Sequence, residues 1–244
     1  MQSLSTKVFN SSFVKLLNMY YRAGTKDEKS SDENAIDEVI TRKSYTRVRS
    51  HFDVQLGERW LDLGANIGAF AVYCRLRGAK AVCYEPDAEN FSILQMNAPD
   101  FDLHRAAVSA SRAKELLFKK SPNPLNNYRG TICEAPARYV DAGTVPNFYG
   151  DFLKHQTFDG VKMDIEGAEA GLLDHWFLPK CKKLVLEYHT SRDSNTISLL
   201  LRLDKIKKHF KQVKYPKLYD DAIAARPCEW PPRYDQLIFA WEPR

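Results

Sequence analysis

No apolar run in this 244-residue chain approaches the length of a membrane-spanning helix, which takes about 20 residues. The first twenty residues carry Lys7 and Lys15 inside their apolar pattern rather than ahead of it. A secretory leader is therefore not expected, and a cytoplasmic protein is. Cysteine is sparse and odd in number: Cys74, Cys83, Cys133, Cys181 and Cys228 are widely spaced and include no Cys-x-x-Cys pair. That speaks against a disulfide framework and against a zinc-type ligand spacing. Internal repeats and low-complexity tracts are also missing. Without a leader, Asn10-Ser11-Ser12 and Asn90-Phe91-Ser92 read as chance matches to a glycosylation triplet. The net charge of +5 is modest, and its excess comes late, at Lys205, Lys207, Lys208, Lys211, Lys214 and Lys217. Such a run either meets phosphates or forms a solvated helix face.

One further absence narrows the chemistry. Trp60-Leu61-Asp62-Leu63-Gly64-Ala65-Asn66-Ile67-Gly68-Ala69-Phe70 joins an apolar strand to a helix through a glycine turn. A dinucleotide fingerprint places further glycines two and five residues after the first, the earlier of them so that backbone can approach a pyrophosphate. Here those positions hold Asn66 and Ala69, so a nucleoside without phosphates fits better. Glu85 ends the next apolar run, Ala81-Val82-Cys83-Tyr84, where a carboxylate takes hydrogen bonds from ribose hydroxyls. S-adenosylmethionine has that ribose and lacks phosphate. Asp62 is expected near its ammonium group.

Length and 44% hydrophobic content suit one α/β domain with an N-terminal addition. Leu4, Phe9, Phe13, Leu16, Leu17 and Tyr20 recur at helical spacing and predict an amphipathic N-terminal helix, packed on the domain or on a second copy in a homodimer. Asp32 is expected to cap a second helix through Ile36, Val39 and Ile40. Residues 1–54 thus read as a helical extension and linker, and 55–244 as the main domain. From Arg59 strands and helices alternate, which predicts a mostly parallel sheet with helices on both faces. Strands are expected at 59–63, 80–84, 101–105, 159–163, 182–187, 211–215 and 235–241, with helices at 67–77, 88–97, 167–174 and 193–209. A hairpin is expected from 114–120 and 131–140.

A second constellation is Lys162-Met163-Asp164-Ile165-Glu166-Gly167-Ala168-Glu169, at a strand end where open α/β sheets bind ligands. Helix capping explains part of it. It does not explain Lys162, nor Glu187 and His189 at the end of Leu184-Val185-Leu186-Glu187-Tyr188-His189. Two adjacent strand ends would bring all five to one crevice. Asp164 or His189 is the candidate general base, with Glu187 orienting the histidine or an acceptor hydroxyl. Lys162 either stabilises oxyanion charge or is an ion-pair partner. Asp164, Glu166 and Glu187 form an all-oxygen set suited to a hard cation such as Mg²⁺. Trp230, in a proline-rich loop, offers a flat face to a ring or packs on the surface.

With these motifs, and with Tyr84-Glu85-Pro86-Asp87 and Ala107-Val108-Ser109, the chain resembles the FkbM-type S-adenosylmethionine-dependent methyltransferases over roughly residues 55 to 241. The resemblance implies a Rossmann-like class I methyltransferase fold with a seven-stranded sheet. It also implies O-methylation of a sugar hydroxyl in a glycan or glycosylated metabolite. The cofactor residues it implies are Asp62, Gly64, Ala65, Asn66, Gly68, Glu85, Pro86, Asn90 and Ala106. The chain departs from the family at Pro122 to Gly130 and at 218 to 234, loops expected to set the acceptor. Two other readings stay open, an RNA methyltransferase using the late basic run and a non-catalytic cofactor-binding module.

Overall fold

Residues Arg59–Leu63 and Lys80–Tyr84 are short runs with every position after the first buried, the pattern of interior parallel strands covered on both faces. In the computed structural model they lie at the centre of the fold. The structure describes residues 4–11, 14–24, 29–46, 48, 52–122, 130–133, 139–189, 196–215 and 235–244. Trp230, the 218–234 segment and residues 123–129 of the loop after Pro122 lie outside them, as does Lys217.

The chain begins with β1 (Leu4–Ser11) and β2 (Val14–Arg22), then α1 (Ser31–Ile36) running into a π-helical turn at Asp37–Thr41. The core follows with β3 (Arg59–Leu63), α2 (Ala69–Leu76), β4 (Lys80–Tyr84), α3 (Ala88–Asn97) and β5 (Asp102–His104). Next come β6 (Ala107–Ser109), β7 (Glu115–Lys120), β8 (Gly130–Thr131) and β9 (Val140–Tyr149). Last are β10 (Thr157–Met163), α4 (Glu169–Asp174), β11 (Lys180–His189), α5 (Thr196–His209), β12 (Phe210–Lys214) and β13 (Asp235–Pro243).

Seven strands form one sheet in the order β5-β4-β3-β10-β11-β13-β12, parallel except for β13. This is the Rossmann-like sheet the motifs predicted. Strand order reverses between β3 and β10, and at such a reversal the loops leaving the carboxyl ends diverge and open a crevice. Side chains alternate between two cores, as period-two strands require. Trp60, Cys83, Val185 and Phe239 face α2, α3 and the N-terminal elements through Phe70, Ile93, Ile36 and Met19. Leu61, Val82, Leu184 and Ile238 face α4 and α5 through Leu172 and Leu203. No helix of the described residues is long and apolar enough to cross a membrane.

Two expectations fail and a third holds in part. The N-terminal segment is not a helix: β1 and β2 pair antiparallel, Leu4 opposite Arg22 and Ser11 opposite Val14. Its apolar spacing suits either structure, and β-branched and aromatic residues such as Thr6, Val8, Val14 and Tyr21 flanking Asn10-Ser11-Ser12 favour a hairpin. Asp32 does not cap α1; Ser30 does, accepting from Glu33 N while Glu33 returns a bond to Ser30 N. The hairpin expected from 114–120 and 131–140 is seen in part: β7 pairs with β8, Lys119 opposite Thr131, and on its other side with β9, which runs on from Val140 to Tyr149, and with β6 these make a separate four-stranded sheet.

Candidate active site

Backbone bonds set the course of the turn after β3. Gly64 N and Ala65 N both donate to Tyr84 O at 3.0 Å, and Asp164 N donates to Leu63 O at 2.9 Å. Gly64 has φ +78°, and a Cβ there would stand 1.7 Å from Asp164 O, so the approach of the β3 and β10 ends requires glycine. Asn66 follows at φ +51°, with its Oδ1 accepting from Ile67 N. Glu85, 5% exposed, accepts from Asn66 N at 2.8 Å with one oxygen and from Asp87 N at 2.9 Å with the other. Burial, against which those donors work, pushes its carboxyl up to about 7.

A cavity of about 270 Å³ opens along these strand ends. Gly64, Ala65, Asn66, Glu85, Pro86, Asn90 and Ala106 line it, and so do Lys162, Asp164, Glu166 and Glu187. Gly68 and Asp62 do not. Asp62 is fully buried, 3.1 Å from Lys162 Nζ, and so is sealed beneath the turn rather than presented to a ligand. Lys162 Nζ also donates to Gly64 O at 2.7 Å. Burial works against its charge, and Asp62 and Asp164 more than offset this and raise its pKa. Of the two roles expected for Lys162, the geometry matches the ion-pair partner.

At the far end Tyr45 Oη lies 3.0 Å from both Asp164 Oδ2 and Glu187 Oε2. A phenol has one proton to donate. The second contact is a hydrogen bond when Glu187 keeps its own proton, and burial together with Asp164 pushes Glu187 up to about 8. Glu187 therefore orients Tyr45 and not the histidine. His189 is held by Glu169, which accepts from both its Nδ1 and its backbone N. Its Nε2 stands 3.4 Å from Glu166 Oε2 and 3.9 Å from Asp164 Oδ1. Burial opposes charge on this ring, but Glu169, then Glu166 and Asp164, outweigh it and raise the imidazole well above its ordinary value. His189 does not line the cavity, so Asp164 is the better placed of the two candidate bases. The expected cation set also changes: among the described residues the ligand atoms that converge belong to Asp164, Glu166 and His189, while Glu187 is turned to Tyr45.

Residues 62–212 match the sequence model of the Methyltransferase FkbM domain. The chain belongs to this family. As an FkbM-domain protein it is an S-adenosylmethionine-dependent methyltransferase. No curated protein matches the sequence. Among solved structures, it is similar to the Pyrococcus abyssi tRNA (uracil-54, C5)-methyltransferase in complex with S-adenosyl-L-homocysteine. That match has 11% identity and TM-score 0.44, over 99% of this chain and 44% of that one. It is similar also to the precorrin-6y C5,15-methyltransferase of Geobacter metallireducens, at 14% identity and TM-score 0.41, over 90% and 93% of the two chains. An S-adenosylmethionine-dependent methyltransferase from Archaeoglobus fulgidus matches at 12% identity and TM-score 0.42, over 86% and 94%.

The cavity of this FkbM-domain protein fits the cofactor. Glu85 has both oxygens fixed by N–H donors and lies on the wall, where a ribose would meet them. Pro86, Ala106 and Phe118 add apolar surface for the base, and Asn66 occupies the position that a pyrophosphate site keeps as glycine. Several polar residues at the site escaped the sequence reading, among them Ser31, Asn34, Glu38 and Thr131 on the wall, and Tyr45 and Glu169. Tyr45 belongs to a segment preceding the matched span, with no periodic signal to connect it to the strand ends. Glu169 stands within the second motif, and its spacing from His189 across α4 and β11 becomes visible only in three dimensions.

Proposed function

We propose that this FkbM-family enzyme methylates a hydroxyl of a sugar, in a glycan or glycosylated metabolite. The observation that carries the reading is the acceptor end of the cavity, where Tyr45, Asp164, Glu166 and Glu187 form a wall rich in hydrogen-bond acceptors. Hydroxyl groups satisfy such a wall by donating to it, whereas phosphates are repelled. When bound, S-adenosylmethionine supplies a methyl group already activated on a sulfonium. Asp164 accepts the hydroxyl proton as the oxygen–carbon bond forms and the carbon–sulfur bond breaks. Lys162 acts through the turn, holding Asp62 and the Gly64 carbonyl in place. Of the late lysines on which the RNA alternative would draw, Lys208 pairs with Asp204 and Lys207 donates to Tyr215.

Transfer of labelled methyl from S-adenosylmethionine to cell extract, separated into RNA, protein, glycan and small-molecule fractions, tests this. Label is expected in the glycan or glycosylated small-molecule fraction, and Asp164→Asn is expected to lower the rate by about 10²–10⁴-fold. Label confined to RNA would overturn the sugar reading.

A further inference from the structure

Carboxylate and imidazole groups come together beside the inner wall of the cavity. Asp164, Glu166 and Glu169 surround a single imidazole, while the ammonium of Lys162 is engaged by Asp62 and the Gly64 carbonyl. His189 is 5% exposed, and with Nδ1 taken by Glu169 its Nε2 makes no hydrogen bond among the described residues. That nitrogen points at two carboxylate oxygens, and the three atoms lie within 4.8 Å of one another. Two ligands each about 2.1 Å from one ion stand about 3.0–3.4 Å apart in octahedral or tetrahedral geometry. The observed 3.4 and 3.9 Å from Nε2 lie near that spacing, and with the three atoms spread over up to 4.8 Å the two carboxylates must draw together around an ion.

Each carrier is already oriented by a second group. Glu169 on Nδ1 fixes the ring and directs Nε2 inward. Tyr45 takes Oδ2 of Asp164 and leaves Oδ1 toward the histidine. Thr131 Oγ1 donates to Glu166 O at 2.8 Å, holding a residue whose φ of +53° is strained for glutamate. Outer partners of this kind fix the tautomer and direction of metal ligands.

We propose that Asp164, Glu166 and His189 bind one divalent cation whose remaining coordination positions face the acceptor. One imidazole with two carboxylates is a mixed nitrogen and oxygen set, better suited to Mn²⁺ than to Mg²⁺. The part concerning the acceptor rests on the proposed methyl transfer; the cation site does not.

Titration of the chelator-treated full chain with Mn²⁺, followed by loss of the free-ion electron paramagnetic resonance signal, tests it with no acceptor present. One site is expected, with nitrogen modulation in the electron spin echo that vanishes in His189→Ala. Affinity is expected to fall about 10–100-fold in Glu169→Gln and at least as far in Glu166→Gln. If His189→Ala does not fold, the two glutamine variants carry the test, with circular dichroism confirming their fold. Binding no tighter than about 1 mM, or an affinity unchanged in both glutamine variants, or an echo without nitrogen coupling, overturns the site and leaves His189 as the carboxylates' structural cation. Mn²⁺ bound as described, with no sugar methylated, keeps the site and removes the sugar reading.

Discussion

Glu85 and Tyr45 act by holding protons at defined places, and each makes a prediction at its own atom. A ribose hydroxyl donates best to an ionised carboxylate, and Glu85 is pushed up to about 7. Affinity for S-adenosylmethionine is therefore expected to rise as pH increases through that value, measured by calorimetry between pH 6 and 8. Glu85→Gln is expected to flatten this dependence and to weaken binding by about 10–100-fold, the worth of a hydrogen bond to a charged group. An equally steep profile in the variant would remove Glu85 from the role. Tyr45→Phe deletes the hydroxyl shared by Asp164 and Glu187 and leaves two facing carboxyl groups with one bridging donor fewer. Its kcat is expected to drop about 10-fold or more while KM for the cofactor stays within a factor of two, since the lost contact lies at the acceptor end. A change in cofactor KM alone would assign Tyr45 to packing.

Between elements, the decisive joint is the one that fastens β2 and α1 to α3. Arg22 grips Asp32 with two guanidinium nitrogens, at 3.0 and 2.8 Å, and its Nη2 also reaches Asn90 Oδ1 at 2.5 Å on the cavity wall. Both members of the pair are almost fully buried, so removing the Asp32 charge takes from Arg22 its closest ion partner, Glu89 standing farther off at 3.6 Å. Asp32→Asn is expected to cost about 3–5 kcal/mol in urea unfolding and to weaken cofactor binding through Asn90; a loss under 1 kcal/mol would mean the joint is solvated. Sequence legibility differs element by element for physical reasons. β3, β4 and α3 match their predicted ends because interior strands read as short, mostly apolar runs, broken in β3 by Asp62 alone after Arg59, and Asp87 caps α3 by accepting from Glu89 N and Asn90 N. β9 was misplaced because Gly143 and Pro146 interrupt it, residues that strands disfavour. The β1–β2 hairpin was misread because the period of six apolar residues fits both structures. Tyr45 was invisible because its partners lie 119 and 142 residues away.

Across the whole molecule the site's titrating groups share one sign. Glu85 and Glu187 have folded values of about 7 and about 8, both above the ordinary carboxylate 4.5, so between those limits the folded protein binds more protons than the unfolded chain. Stability then falls as pH rises through the window. His189 is raised well above 6.5, so its contribution is complete below that value and is also lost as pH climbs through its folded pKa. Glu85 alone, shifted by about 2.5 units, corresponds to about 3 kcal/mol. The cofactor-free, chelator-treated protein is therefore expected to be several kcal/mol more stable to urea at pH 5 than at pH 8. Cofactor addition at pH 8 is expected to recover part of the difference, because ribose donors favour the ionised Glu85, and a divalent cation that binds the folded state would recover more. A cofactor-free protein that gains stability from pH 5 to 8 would mean that Glu85 and Glu187 reach solvent, and with that the buried proton-holding wall of the cavity would lose its physical basis.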